Sequence, residues 1–254
     1  MPVSGRCWCR DVARKDYAFP VECAYGAGVT VRAALFDFSG TLFRLEQDES
    51  WLADVTDRDG RALDLEAQAE LMRRMTAPSG QVSELGPEYQ HAWDNRDLDP
   101  LLHRKIYLEV LRTSGVTRVS EAEALYGRLV DPDCWTPYPD TPEALRRLKA
   151  AGYKIGVISN IAFDIRPAFE RAEVFGLVDE FLLSYEEGVI KPDAKLFLRA
   201  CERLNVRPED SIMIGDSEEA DGATADVGCS VALVDPLPTS RRTDGLLTAL
   251  SDLI

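Results

Sequence analysis

The stretch Ala33–Phe43 reads AALFDFSGTLF and decides the fold. An apolar run from Val31 to Phe36 has the length of a buried strand, and it ends on a carboxylate, Asp37. Small polar residues follow at 39–41, where a turn can expose backbone groups. In an open parallel sheet, ligands bind just beyond the carboxyl ends of the strands. The stretch therefore predicts a first strand that delivers an acidic side chain to a binding crevice.

Length and charge narrow the possible functions. The chain has 254 residues and 45% hydrophobic content, enough for one large domain or two unequal ones. Its 29 Lys and Arg against 44 Asp and Glu give a formal net charge of −15, which argues against nucleic acid and anionic membranes as partners. No apolar run approaches the roughly 20 residues that span a bilayer, and the N-terminal region has no run typical of a secretory signal. We therefore expect a cytoplasmic protein.

The six cysteines do not form a metal-binding pattern. Cys7, Cys9 and Cys23 lie close together, but zinc takes four ligands, and the only two histidines, His91 and His103, lie far along the chain. We therefore expect reduced thiols, which is the usual state in a reducing compartment.

Three regions of the chain differ in their hydrophobic pattern. Residues 1–28 show no period and precede the first predicted strand, so we expect an N-terminal extension there. Residues 48–136 show the 3.6-residue period of helices and no strand pattern. The period covers Leu63–Met75, Leu101–Leu111 and Ala122–Val130. We therefore expect a helical cap domain at 48–136, inserted into a core domain made of 29–47 and 137–254.

Strands and helices alternate through the second part of the core domain. The predicted strands are Lys154–Asn160, Phe181–Ser184, Ser211–Asp216 and Ser230–Val234. Helices are predicted from the cap residue Thr141 to Gly152, over 163–172, from Lys191 to Leu204, up to Gly228 and over Thr243–Ile254. Such alternation predicts right-handed crossovers, and hence an α/β fold with a doubly wound parallel sheet of five strands.

Polar side chains follow the predicted strands at the edge where ligands bind. They are Asp37, Ser159, Asn160, Lys191, Asp216 and Asp221. A carboxylate such as Asp37 can attack phosphorus and form an acyl-phosphate, which divides hydrolysis into two easier steps. Two acids close together require a divalent cation, and oxygen ligands favour Mg²⁺. A hydroxyl and an ammonium group, here Ser159 and Lys191, can hold the oxygens of a transferring phosphoryl group.

In order and spacing, four motifs resemble those of the haloacid dehalogenase-like hydrolase superfamily. They are LFDFSGTL at 35–42, VISN at 157–160, KPD at 191–193, and IGDS at 214–217 followed by Asp221. The resemblance covers roughly residues 31–235. It implies a five-stranded Rossmann-like core with a helical cap inserted after the first strand. It also implies hydrolysis of a small phosphorylated metabolite.

The resemblance assigns roles to eight residues of this chain. Asp37 is the nucleophile. The ligands of Mg²⁺ are Asp37, Asp216 and the Ser39 backbone carbonyl, with Asp221 either among them or directly behind them. Phosphate is positioned by Thr41, Ser159 and Asn160, and Lys191 balances the charge of the nucleophile and the phosphoryl group.

One position departs from the family pattern. Phosphatases of the superfamily carry a second Asp two residues after the nucleophile, where this chain has Ser39. That Asp protonates the leaving oxygen and then activates water, a role typically worth about 10²–10⁴-fold in rate. A hydroxyl of high pKa cannot replace it at neutral pH, so vigorous phosphomonoesterase activity requires another proton source.

Three interpretations of Ser39 stay open. The protein is a phosphatase for substrates with a good leaving group, or one that takes its proton from the substrate or the cap. Alternatively, it cleaves C–P or C–halogen bonds. The C–P branch needs a cap lysine, for which Lys105 is the only candidate between residues 44 and 148, and the dehalogenase branch usually has Tyr in place of Ser39 and does not use Mg²⁺. The third interpretation is a weakly catalytic phospho-ligand-binding protein.

The group that faces Asp37 from the cap discriminates between these interpretations. A titratable side chain there favours an enzyme, whereas a purely apolar lid favours a binding protein. His103 and Arg104, next to Lys105 on one predicted helix, are the first candidates for this position.

Overall fold

The computed structural model describes residues 31–46, 51–52, 55–57, 59–76 and 85–254. The strands found there are β1 (Ala33–Phe36), β2 (Phe43–Leu45), β3 (Trp135–Pro137), β4 (Lys154–Ser159), β5 (Glu180–Leu183), β6 (Ser211–Gly215) and β7 (Ser230–Leu233). Five of them form one sheet in the order β5-β4-β1-β6-β7, and every neighbouring pair is parallel. The predicted α/β fold with a parallel five-stranded sheet is confirmed.

The central strand β1 explains why its sequence is apolar without alternation. Ala34 and Phe36 belong to one hydrophobic cluster, and Ala33 and Leu35 belong to another. Because both faces of the sheet are covered, both sets of side chains are buried. This strand carries Asp37 directly after its last residue.

Helices cover both faces of the sheet and also form a separate group. In chain order they are α1 (Leu65–Thr76), α2 (Gln90–Asp94), α3 (Pro100–Thr113), α4 (Val119–Val130), α5 (Thr141–Ala150), α6 (Arg166–Arg171), α7 (Ser184–Glu187), α8 (Ala194–Leu204) and α9 (Gly245–Ala249). Leu145 of α5 and Leu246 of α9 pack on the Phe36 face, and Phe197 of α8 packs on the Leu35 face. No helix in the described ranges is long and apolar enough to cross a membrane.

Helices α1–α4 lie between β2 and β3 in the chain, and we term them the helical insert (residues 65–130). The three helical patterns predicted in this region are confirmed within a few residues at each end. Helix α3 starts with Pro100 at its first position, and the Asp99 side chain accepts a hydrogen bond from the Leu101 N–H at 2.7 Å. Such capping fixes where the chain turns from the loop into the helix.

A second, two-stranded sheet was not predicted. β2 and β3 are antiparallel, with Phe43 opposite Pro137 and Leu45 opposite Trp135. The prediction that residues 48–136 contain no strand is therefore wrong at Trp135 and Thr136. Each strand has only three residues, too few to produce a period, and the pairing joins segments that are distant in the chain.

Several predicted helix boundaries also need correction. Thr141 is the first residue of α5 rather than its cap, because its hydroxyl donates to the Leu42 carbonyl at 2.8 Å instead. The helix predicted after β6 is a 3₁₀ helix, Gly222–Val227. The C-terminal helix ends at Ala249, and the remaining apolar residues pack through turns, with the Leu253 N–H donating to the Leu250 carbonyl at 2.8 Å.

The expectations for the start of the chain lie outside the described residues. These are the N-terminal extension at 1–28 and the cysteines Cys7, Cys9 and Cys23. Within the described ranges, Cys134, Cys201 and Cys229 carry free thiols.

Candidate active site

The acidic residues of the first and last motifs meet at the carboxyl edge of the sheet. Asp37 follows β1, Asp216 follows the neighbouring β6, and Asp221 lies in the loop beyond. Each contributes a carboxylate oxygen, and these oxygens all lie within 4.8 Å of one another. Strand pairing is the cause, because Phe36 and Ile214 are in register. Three acids so close together could hold a cation.

Lys191 links two of these acids. Its buried Nζ donates to Asp37 Oδ1 at 2.7 Å and to Asp221 Oδ1 at 2.6 Å. Burial alone lowers the pKa of Lys191, but the charges of Asp37 and Asp221 outweigh it and raise the pKa above its ordinary value. Lys191 is therefore a permanent cation that fixes one oxygen of Asp37.

One ammonium group does not offset three carboxyls. Burial raises the pKa of Asp37 to about 6, although Lys191 lowers it. Burial, together with Asp37 and Asp221, raises the pKa of Asp216 to about 7. Negative charge at this edge is thus under-compensated by the protein, and a divalent cation would relieve it.

Asp221 is fully buried and holds the loop after β6. Its Oδ2 accepts hydrogen bonds from the backbone N–H groups of Asp216 at 3.2 Å and Ser217 at 3.1 Å. A Cβ at Gly215 would lie 2.2 Å from the Asp221 carboxylate, so glycine is required there. Both carboxylate oxygens of Asp221 are therefore engaged by hydrogen bonds within the protein.

The turn after β1 is shaped by a close approach to Asp216. Gly40 has φ +78°, and a Cβ there would lie 2.3 Å from Asp216 Oδ2. The half-buried Ser39 forms a backbone bridge with Phe43, and the Gly40 N–H donates to the Phe43 carbonyl at 2.8 Å. Only glycine satisfies both the positive φ and the contact, so the Ser39-Gly40 pair is fixed beside the acids.

The three predicted phosphate-binding residues differ in their contacts. The Thr41 hydroxyl is buried and has no hydrogen-bond partner among the described residues. Ser159 is buried at the end of β4. The Asn160 amide is already engaged, since it donates to the Lys191 carbonyl at 2.9 Å and accepts from the Lys191 N–H at 2.7 Å. Thr41 is thus free to bind a ligand, whereas Asn160 holds the backbone that carries Lys191.

Arg242 also lies at this site, although nothing in the sequence singled it out. Its buried guanidinium donates to the carbonyls of Gly40 at 2.6 Å and Asp235 at 3.0 Å, and also to that of Thr41. The group lies 3.1 Å from the centroid of the Tyr138 ring. Arg242 follows Arg241, but such doublets also occur at 73–74 and 146–147, so the sequence gives no sign of a contact with residues two hundred positions earlier.

The residues of the helical insert that were predicted to face Asp37 make their contacts elsewhere. His103 is buried against Tyr107 and interacts with Tyr126 through Nδ1, and burial lowers its pKa to about 3. Lys105 is exposed and lies over the Tyr89 ring, 5.5 Å from its centroid, while Arg104 pairs with Glu123 on α4. The geometry gives no support to a Schiff base at Lys105.

One turn of the insert contacts the core at the carboxyl edge of the sheet. Asp97 lies in this turn, between α2 and α3, and its backbone carbonyl accepts a hydrogen bond from the Ser184 hydroxyl, directly after β5, at 2.5 Å. Burial raises the pKa of Asp97, and the positive charges of Arg96 and Lys191 oppose the rise.

Comparison with known proteins gives a consistent family assignment. A family model described as haloacid dehalogenase-like hydrolase matches residues 31–226. Glyceraldehyde 3-phosphate phosphatase of Methanopyrus kandleri is 28% identical over 75% of this chain and 78% of its own length. The enzyme of the same name from Methanothermobacter thermautotrophicus is 36% identical, and the match spans 42% of this chain and about half (49%) of that protein.

Solved structures share the fold. A haloacid dehalogenase-type phosphatase from Thermococcus onnurineus aligns with a TM-score of 0.52 and 23% identity, over 81% of this chain and 86% of its own. L-2-haloacid dehalogenase from Xanthobacter autotrophicus aligns with a TM-score of 0.58 and 22% identity, over 86% and 83%. At these identities the likeness concerns the fold and does not distinguish between the two activities.

Proposed function

Because the chain belongs to the haloacid dehalogenase-like hydrolase family, we propose that it is a Mg²⁺-dependent phosphatase of small phosphorylated metabolites. The observation that carries the proposal is the buried Lys191 ammonium, bonded to both Asp37 and Asp221 beside a third acid, Asp216. Relatives named as phosphatases support the same reaction class.

Asp37 is the proposed nucleophile. One carboxylate oxygen attacks phosphorus, the bond from phosphorus to the ester oxygen breaks, and an aspartyl-phosphate forms; water then attacks that phosphorus and restores the carboxylate. Lys191 holds Oδ1 of Asp37, which orients the carboxylate and offsets charge as the phosphoryl group approaches. The Thr41 hydroxyl, which has no hydrogen-bond partner among the described residues, supplies hydrogen bonds to the phosphoryl oxygens together with Ser159.

The acidic residues fit a magnesium ion. Asp37 and Asp216 would hold it together with the Ser39 backbone carbonyl, and this all-oxygen set is the one Mg²⁺ prefers. Bound there, Mg²⁺ would neutralise part of the charge on the phosphoryl group. Asp221 would keep Asp216 and Lys191 in place through its three hydrogen bonds.

The alternatives receive less support. A C–P hydrolase needs a lysine in the crevice, but Lys105 lies over Tyr89. A dehalogenase works without a metal, whereas three carboxyls here lie within metal-binding distance. A non-catalytic binding protein would not require a nucleophile already held by a buried cation.

Turnover of a panel of metabolite phosphates, with and without Mg²⁺, tests the proposal. We expect hydrolysis only with Mg²⁺, its loss in Asp37→Asn, and loss of saturable Mg²⁺ heat in Asp216→Asn. Asp226→Asn is the matched control, because Asp226 is an exposed acid in the same loop region. If Asp37→Asn keeps wild-type turnover, or Mg²⁺ binds Asp216→Asn unchanged, the proposal is refuted.

A further inference from the structure

Asp97 is anchored to the core at the edge that carries the active site. The Ser184 hydroxyl, directly after β5, donates to the Asp97 backbone carbonyl at 2.5 Å. The same hydroxyl oxygen accepts the Ile161 N–H at 2.8 Å. Ile161 follows Asn160, whose amide holds the Lys191 backbone. The turn of Asp97 is therefore tied to the segment that positions Lys191.

The carboxyl group of Asp97 is enclosed but loosely paired. Its side chain is 18% exposed, and Arg96 Nη2 lies 3.7 Å from Oδ2, beyond hydrogen-bonding distance. The Arg96 guanidinium is instead stacked on the Trp93 ring, 4.4 Å from its centroid, and Nη1 donates to the Trp93 carbonyl at 2.8 Å. Among the described residues, no hydrogen bond engages the Asp97 carboxyl, so it can exchange a proton with a ligand.

We propose that Asp97 supplies the general acid and base for which Ser39 has no carboxyl group, an inference that rests on the proposed phosphatase function. In the first step, Asp37 Oδ bonds to phosphorus as the ester P–O bond breaks. The proton of Asp97 passes to the departing oxygen. In the second step, the Asp97 carboxylate takes a proton from water as the water oxygen bonds to phosphorus and Asp37 leaves. Asp97 ends protonated, ready for the next cycle.

The charged and titratable groups around Asp97 suit this role. Burial raises the pKa of Asp97, and the cations Arg96 and Lys191 oppose the rise. From α3, Tyr107 faces the pair with a pKa raised by burial, so it remains a neutral phenol. His103, whose pKa burial lowers to about 3, is neutral at physiological pH and is a poorer donor. Asp97 is thus the acid of this cluster whose proton is available to a leaving oxygen.

The test compares leaving groups in Asp97→Asn. p-Nitrophenyl phosphate needs little protonation as its aryl oxide departs, whereas an alkyl phosphate needs a great deal. The comparison uses kcat/KM, which reports the steps up to departure of the leaving group, because hydrolysis of the aspartyl-phosphate is common to both esters. We expect kcat/KM for the alkyl ester to fall about 10²–10⁴-fold and kcat/KM for the aryl ester to change by no more than a few-fold. The high-pH decline of kcat/KM for the alkyl ester should disappear with the acid. Asp94→Asn is the matched control, because Asp94 is an exposed acid of α2 in the same segment.

A second variant separates chemistry from structure. Ser39→Asp in the Asp97→Asn background should restore turnover of the alkyl ester, because the new carboxyl stands two residues beyond Asp37. A retained kcat/KM for p-nitrophenyl phosphate reports that Asp97→Asn is folded. The inference is overturned if Asp97→Asn lowers kcat/KM of both esters equally or of neither. If the wild type hydrolyses no ester, the proposed phosphatase function fails first and this inference falls with it, an outcome visible without any variant.

Discussion

The substitution Arg242→Met tests how the turn after Asp37, which contains Gly40 and Thr41, is held in place. Arg242→Met keeps most of the side-chain volume and removes every donor. The buried carbonyls of Gly40 and Thr41 then lose their donor, whereas the Asp235 carbonyl keeps the Leu237 N–H at 2.9 Å. An unsatisfied buried group costs about 1–3 kcal/mol. The end of the methionine side chain is smaller than a guanidinium, and water that enters beside it offsets part of the cost of the unsatisfied carbonyls. We expect a loss of about 2–4 kcal/mol in the free energy of unfolding.

Urea denaturation, followed by circular dichroism, measures that loss, and thermal melting checks it. At about 2–4 °C per kcal/mol for a chain of this size, the melting temperature should fall by roughly 10 °C. Arg241→Met is the matched control, because Arg241 is the adjacent exposed arginine, and we expect a change within about 0.5 kcal/mol. A loss below about 1 kcal/mol in Arg242→Met would show that the three hydrogen bonds contribute little, and the reasoning would be wrong.

Two further predictions concern buried polar groups. Thr41→Val removes a hydroxyl that has no hydrogen-bond partner in the described part of the chain, so the free energy of unfolding should hold or rise. Affinity for inorganic phosphate, measured by calorimetry with Mg²⁺, should weaken about tenfold; unchanged affinity would remove Thr41 from the phosphate site. His103 has a folded-state pKa of about 3 against 6.5 in the unfolded chain, so its stabilising contribution is complete above pH 6.5 and is lost as pH falls towards 3. At pH 5 the loss is about 2 kcal/mol, and His103→Gln should show a smaller drop in unfolding free energy between pH 7 and pH 5; equal drops in both proteins would contradict this.

The sheet was predictable because its three central strands, β4, β1 and β6, are buried on both faces. Strands of this kind appear as short apolar runs, and the polar residues after them mark the carboxyl edge, as at Asp37, Ser159 and Asp216. The family's order of motifs then placed Lys191 among them, and its two ion pairs agree with that expectation. Local pattern and motif order were sufficient for this part of the site.

Arg242 and Asp97 were not predictable from such signals. The guanidinium of Arg242 donates to a backbone carbonyl about two hundred positions away. Every residue has a backbone carbonyl, so no sequence motif marks this partner. The turn of Asp97 meets the core through the hydrogen bond that its carbonyl accepts from Ser184, directly after β5, a contact between segments distant in the chain. His103 and Lys105, on the expected helix, face Tyr126 and Tyr89 instead. Which face of a helix meets a crevice depends on tertiary packing and not on helical period.

The paired strands β2 and β3 hold the two ends of the helical insert side by side, which allows the insert to vary in evolution independently of the core. The chain leaves the core at Leu45 and returns at Trp135, and these two residues are directly paired. Any segment whose ends meet at that spacing can be exchanged there without disturbing the central sheet, because doubling the length of a closed loop costs only about 0.6 kcal/mol. The helical insert can therefore be exchanged as a unit in evolution. Such an exchange would change which molecules enter the crevice, while Asp37 and Lys191 keep their positions in the core.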